Sequence, residues 1–157
     1  MRGLESKVAL VTGAARKRGI GRAIALRLAE EGCDVVVTGL RRDPASFPAQ
    51  EQAEGWQGVA SVAAEIRTMG RRSIAVDGDV ADARDVEAMI TAVVAEFGRI
   101  DGLVNNAALP SDAGAAPILD GDDANWFRTF DVNLNGLYLL TKQQGGSCAM
   151  VAMAGAS

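Results

Sequence analysis

The sequence predicts an α/β domain built on a doubly wound parallel sheet, and three observations carry that reading. Short apolar runs alternate with longer segments of helical period. The three clearest helical segments each end at a glycine, Gly32, Gly70 and Gly98. The first apolar run leads directly into a glycine-rich turn, with a helix following.

The runs are Val8 to Val11, Val35 to Val37, Ser73 to Val76 and Ile100 to Val104. Each is short and mostly apolar, as a strand covered on both faces must be. Between them lie stripes of helical spacing. Ile20, Ile24 and Leu28 form the first, Val59, Val62, Ala63, Ile66 and Met69 the second, and Val86, Ile90, Val93, Val94 and Phe97 the third. Glycine suits the residue just past a helix because it adopts left-handed backbone at no steric cost. Asp82 stands where an N-cap is expected for the third helix. Strand alternating with helix predicts a parallel sheet, and right-handed crossovers put helices on both of its faces. Residues 43–57 carry two prolines and no period, which predicts a long loop. From Trp126 to Leu140 the chain is too densely apolar for a one-sided surface helix. It is expected to be buried on most sides, against the sheet and a second subunit.

Composition narrows the function. The 157 residues suit a single domain, 1–157, and 48% hydrophobic content is enough for a core. Sixteen Lys and Arg against twenty Asp and Glu give a net charge of −4, which argues against general nucleic-acid binding. The chain has no His, so imidazole acid–base chemistry and the commonest zinc ligand are both excluded. Cys33 and Cys148 are too few and too distant for a disulfide framework or a metal clamp. Asp77, Asp79, Asp82, Asp85, Asp122 and Asp123 lie at a strand end or at helix starts, so capping is expected of most of them and metal ligation of none. The N-terminus lacks a signal-peptide pattern, and no window approaches the length of a membrane span. The expectation is a cytoplasmic protein with no membrane and no nucleic-acid partner.

The turn after the first strand reads Thr12-Gly13-Ala14-Ala15-Arg16-Lys17-Arg18-Gly19-Ile20-Gly21. Glycines there let backbone amides approach a phosphate, and the helix N-terminus adds about half a positive charge. This is the logic of a dinucleotide site in a Rossmann-type fold of strand order 3-2-1-4.

With three further motifs, the chain resembles the short-chain dehydrogenase/reductase family, and among its members the 3-oxoacyl-carrier-protein reductases. TGAARKRGIG is similar to the family's TGxxxGxG, with two extra residues between Gly13 and Gly19. Asp79-Val80 follows the third strand, where the family's aspartate contacts the adenine. Asn105-Asn106-Ala107-Ala108 is similar to the family's NNAG, with Ala in place of the final Gly. Val132-Asn133 matches the asparagine of the catalytic helix. The resemblance implies hydride transfer between a nicotinamide and a ketone or secondary alcohol, with Asn133 completing a water-linked proton relay. It also implies a small-molecule substrate and a homo-oligomer.

Electrostatics chooses the cofactor. An NAD site wants an acid at the end of the second strand for the ribose 2′-hydroxyl. That strand ends Thr38-Gly39-Leu40-Arg41-Arg42, and Arg18 sits in the glycine loop. A 2′-phosphate suits guanidinium groups, so NADP(H) is expected over NAD(H). The expected cofactor contacts are Gly13, Arg18, Gly19, Ile20, Gly21, Arg41, Asp79, Val80 and Asn106.

Tyr138 and Lys142 show a Y-x-x-x-K spacing, but they lie on the same apolar helix as Asn133. The family's catalytic pair lies beyond a fifth strand, on the helix that follows it, so this pair is set aside as structural. The family's serine, tyrosine, lysine and substrate loop are then expected beyond Ser157, the chain being truncated after about four strands. The fourth strand would be an exposed edge and a template for association. Residues 145–157 have two readings: the end of the long helix, which is preferred, or a degenerate fifth strand from about Cys148 to Met153. Under the second, Ala154 to Ser157 would be the serine region; Ser147 and Ser157 are set aside as catalytic groups. Ala113 to Asp123 are expected to supply one wall of the substrate site.

Two rival functions remain. A non-catalytic nucleotide-binding or interaction protein would keep the glycine loop without a tyrosine–lysine pair. A methyltransferase would need an acid ending the second strand, and Gly39-Leu40-Arg41 offers none.

Overall fold

The computed structural model describes residues 3–109, 117–144 and 150–153. Strands β1 (Val8–Val11), β2 (Asp34–Gly39), β3 (Ser73–Asp77), β4 (Gly102–Asn105) and β5 (Met150–Met153) form one sheet of order β3-β2-β1-β4-β5. Every pairing is parallel. Helices α1 (Ile20–Glu30), α2 (Ala49–Ala53), α3 (Val59–Thr68), α4 (Ala83–Phe97), α5 (Asp123–Phe130) and α6 (Gly136–Gln143) complete the described elements.

The order 3-2-1-4 holds, and a fifth strand extends it. Gly102 to Asn105 pair with Met150 to Met153, so the preferred helical reading of this stretch is wrong there, and β4 is not an edge. With β4 paired on both sides, it does not offer the open edge expected to template association. Residues 145–149 and 154–157, with Ser147, Cys148 and Ser157, lie outside the described residues, as do 110–116, which include 113–116 of the expected substrate wall.

Side-chain alternation builds a core on each face of the sheet. Ala9, Val11, Val35, Val37 and Val104 pack with Ala25, Ala29, Val62, Ala63 and Ile66, on the side of α1 and α3. Val8, Leu10, Val36 and Leu103 pack on the opposite side with Val86, Val93, Phe97, Val132 and Leu140 of α4 to α6. β1 and β2 are buried at every position, as strands covered on both faces should be.

Three other expectations change. Residues 43–57 are not plain loop: a single turn of 3-10 helix at Pro44–Ser46 and the short α2 fold the segment back, burying Phe47 and Trp56. Met69 and Val94 continue the stripes of α3 and α4 but are exposed, and Met89 takes the buried place on α4. The segment from Trp126 to Leu140 buries only Val132, Gly136 and Leu140. Trp126, Phe127, Phe130, Leu134 and Tyr138 are exposed, so within this chain the expected burial on most sides does not occur.

Candidate functional site

The glycine loop and the loop after β4 meet at the carboxyl edge of the sheet, stitched by one threonine and one asparagine. Thr12, fully buried, donates its hydroxyl to Val104 O at 3.3 Å and accepts from the amides of Asn106 and Ala107 at 3.1 and 3.0 Å. Asn106 returns its Nδ2 to Thr12 O at 2.8 Å and Gly13 O at 3.2 Å. The ladder is continued by Thr12 N to Val104 O and Ala14 N to Thr38 O, both at 3.0 Å. The loop is thereby fixed against both β2 and β4.

That fixation requires glycine at two places. Gly13 has φ +69°, and a Cβ there would lie 2.6 Å from Ala107 Cα. At Gly21 a Cβ would lie 2.5 Å from Asn106 Nδ2 and 2.8 Å from Gly13 O, so only glycine lets α1 begin this close to the loop.

An anion fits what α1 presents. No side chain caps it and its first turn carries no acid. By contrast, Asp82 and Asp122 cap α4 and α5 through the amides of Arg84 and Ala124 at 2.8 and 3.0 Å. Arg16 and Arg18 are exposed in the loop that precedes α1. A phosphate group placed here would meet the uncapped start of α1 and the positive end of the helix, with Arg16 and Arg18 carried by the loop just before it.

The remaining expected contacts line the same edge. Arg41 is exposed just past β2, and its Nε donates to Asp77 Oδ2 at 3.1 Å, the register partner of Gly39 at the end of β3. Sequence reasoning looked for an acid only after β2 and missed Asp77, which the parallel register brings alongside. Asp79 accepts from Ala81 N through Oδ1 at 2.9 Å and from Arg128 through Oδ2 at 2.5 Å. Its own amide donates to Asp85 Oδ2 at 2.8 Å. Val80 is buried, with Gly136 of α6 against its backbone.

Asn133 falls within a turn of π-helix, Asp131–Asn135, that joins α5 to α6. Its Oδ1 accepts from Leu109 N at 2.9 Å, tying the helix to the loop after β4. Such turns concentrate at functional positions, and this one carries no sequence signature. Tyr138 and Lys142 do not form a proton-transfer pair here: Nζ of Lys142 lies 5.6 Å from the centroid of the tyrosine ring, against its face. Cys33, buried at the opposite end of the sheet, is not a nucleophile. Burial, then the neighbouring charges of Asp34 and Asp101, push its thiol up to about 11.

The topology and this edge define a dinucleotide-binding α/β class, and comparison with known proteins places the chain within it. A profile of the family described as short chain dehydrogenase matches residues 7–151, and the chain belongs to that family. It is 41% identical over 133 residues to the 3-oxoacyl-(acyl-carrier-protein) reductase FabG of Staphylococcus aureus strain Mu50, covering 85% of this chain and 47% of that protein. It is 40% identical over 142 residues to the 2-dehydro-3-deoxy-D-gluconate 5-dehydrogenase of Pseudoalteromonas atlantica, covering 90% and 49%. A short chain dehydrogenase from Burkholderia cenocepacia J2315, solved in complex with NADP, superposes with a TM-score of 0.78 at 32% identity, over 97% of this chain and 56% of that one. The chain thus spans about half the length of the curated relatives it matches. Among the described residues no helix is long and apolar enough to cross a membrane.

Proposed function

We propose that this chain is the nucleotide-binding part of an NADP(H)-dependent oxidoreductase that interconverts a ketone and a secondary alcohol, similar to the 3-oxoacyl reductases. The observation that carries the reading is the uncapped start of α1 beside Arg16 and Arg18, with Arg41 across the edge of the sheet. The amides of Gly13, Ile20 and Gly21 hold the pyrophosphate, while the Gly19 N–H donates to Arg16 O at 3.1 Å and shapes the turn that leads into α1. Arg18 and Arg41 take the 2′-phosphate. Asp79 and Val80 bracket the adenine, and Asn106 keeps the loop in place. When bound, the nicotinamide supplies or accepts the hydride. Asn133, held by Leu109 N, orients a water in the proton relay.

Cofactor choice is tested by dissociation constants for NADPH and NADH with the wild-type protein and Arg41→Asp. The reading predicts tighter NADPH binding that is lost in the variant. Equal affinities for both cofactors in both proteins would contradict it.

A second reading is a nucleotide-binding or interaction protein that performs no chemistry; Tyr138 and Lys142, already set aside as structural, favour neither reading. NADPH oxidation with a generic ketone, measured on a protein that carries the family's serine, tyrosine and lysine as well, separates the two: turnover supports the enzyme, and binding without turnover supports the second reading.

The exposed stripe of Trp126, Phe127, Phe130, Leu134 and Tyr138 is assigned to a homo-oligomeric contact, since apolar patches of this kind mark interaction surfaces. The two widely separated cysteines suit a reducing, cytoplasmic setting.

A further inference from the structure

Two features of the sequence stand apart from the family pattern or the strand–helix rhythm: the glycine loop with two extra residues, and the aperiodic segment 43–57. In the structure they meet. The Trp56 indole, 5% exposed, donates from Nε1 to Ala15 O at 2.9 Å. Lys17 forms an ion pair with Glu54. Arg22 lies over the Trp56 ring, 5.8 Å from its centroid, donates to Lys17 O at 3.2 Å and grips Glu65 with two bonds of 2.8 and 3.0 Å. The segment is itself stapled by Gln52, whose Nε2 donates to Ala45 O at 3.0 Å and Phe47 O at 2.7 Å.

These bonds fall on particular peptide planes. A trans peptide points its C=O and its N–H in opposite directions. Trp56 engages Ala15 O, so the Arg16 N–H of the same peptide is turned away from the indole. Arg22 engages Lys17 O, so the Arg18 N–H is turned away from the guanidinium. A lengthened loop has more conformers to lose on ordering, and side-chain donors to its carbonyls remove them in advance.

We propose that Trp56 is a positioning residue for the lengthened phosphate loop, with Glu54 and Arg22 completing a brace that fixes which of its amides face the anion. The proposal rests on the pyrophosphate reading of the loop and assigns the 43–57 segment a task in cofactor binding.

The test is Trp56→Phe, which keeps an aromatic ring and deletes the N–H donor, read by fluorescence titration with NADPH and by amide hydrogen exchange. The expected result is NADPH binding about fivefold weaker, the usual scale for one hydrogen bond. Amides of residues 15–19 exchange faster, while those of β1 and α4 keep wild-type rates. A global loss of stability would instead speed exchange everywhere. Unchanged NADPH affinity in W56F overturns the proposal whatever the exchange shows. Wild-type protein that fails to bind NADPH overturns the cofactor reading and this proposal together. If W56F does not fold, Glu54→Gln on the surface is read by exchange: faster loop amides support the brace, and unchanged ones overturn it.

Discussion

Arg128 of α5 donates to Asp79 Oδ2 at 2.5 Å, joining that helix to the turn after β3 across 49 positions of sequence. Asp79 Oδ1 is already committed to Ala81 N, so both carboxylate oxygens are oriented from within the protein. Hydrogen bonds to a charged partner are stronger than neutral ones, and this one fixes the acceptor proposed for the adenine. Arg128→Met is expected to weaken NADPH binding about fivefold, equivalent to roughly 1 kcal/mol. The hypoxanthine analogue of NADPH, which lacks the exocyclic amine, should lose less. Parallel losses for the two nucleotides would show that Arg128 acts only on stability.

In the proposed NADP(H) site Asp77 would compete with the 2′-phosphate for Arg41. The pair is exposed, so its strength is small, within about 1 kcal/mol. Asp77→Asn is expected to raise the ratio of NADPH to NADH affinity by about threefold, within that range. Measured dissociation constants check it, and an unchanged ratio would mean that Asp77 plays no part in selection.

Much of this edge was legible in the sequence. Thr12, Gly13 and Gly21 fall where strand ends and spacing put them, because short buried runs and glycine turns are local signals; Asp79 and Asn106 were singled out by the family resemblance. What was missed depends on contacts between distant segments. Asp77 comes beside Arg41 only through the parallel register of β2 and β3. Phe47 and Trp56 are buried by a segment that folds back without any period. Met150 to Met153 form a short apolar run, which periodicity alone cannot assign to helix or strand. The apolar content from Trp126 to Tyr138 reads as core, yet apart from the buried Val132 its large side chains Trp126, Phe127, Phe130, Leu134 and Tyr138 are exposed.

Two glycines with similar backbone separate strain from crowding. Gly13 and Gly70 have φ of +69° and +79°, but a Cβ at Gly70 meets nothing within 4 Å. Gly70→Ala should cost about 1–2 kcal/mol, the penalty of left-handed backbone. Gly13→Ala should cost clearly more and abolish NADPH binding, because Ala107 would have to move. Urea unfolding of both variants gives the difference, and equal losses would show that the loop relaxes.

Asp101 links stability to acid pH. Burial tends to raise its carboxyl, but hydrogen bonds from Arg99, the Val8 amide and Lys7 outweigh that and hold it below the usual carboxylate range. A folded-state pKa below the unfolded value stabilises the fold above the unfolded pKa, near 3.8, and that stability is lost as pH falls through the lower folded value. Urea midpoints of Asp101→Asn should therefore fall less steeply than wild type on acidification below about pH 5. Parallel curves would remove Asp101 from the acid transition.

In the proposed function the backbone around Gly13 to Gly21 grips a pyrophosphate at the carboxyl edge of the sheet. Amide chemical-shift changes during titration with NADPH test it most directly. The largest changes are expected on Gly13, Arg16 and Arg18 to Gly21, with smaller ones at Asp79, Val80 and Asn106. Saturable binding that leaves those loop amides unmoved, with the changes elsewhere on the protein, would contradict it.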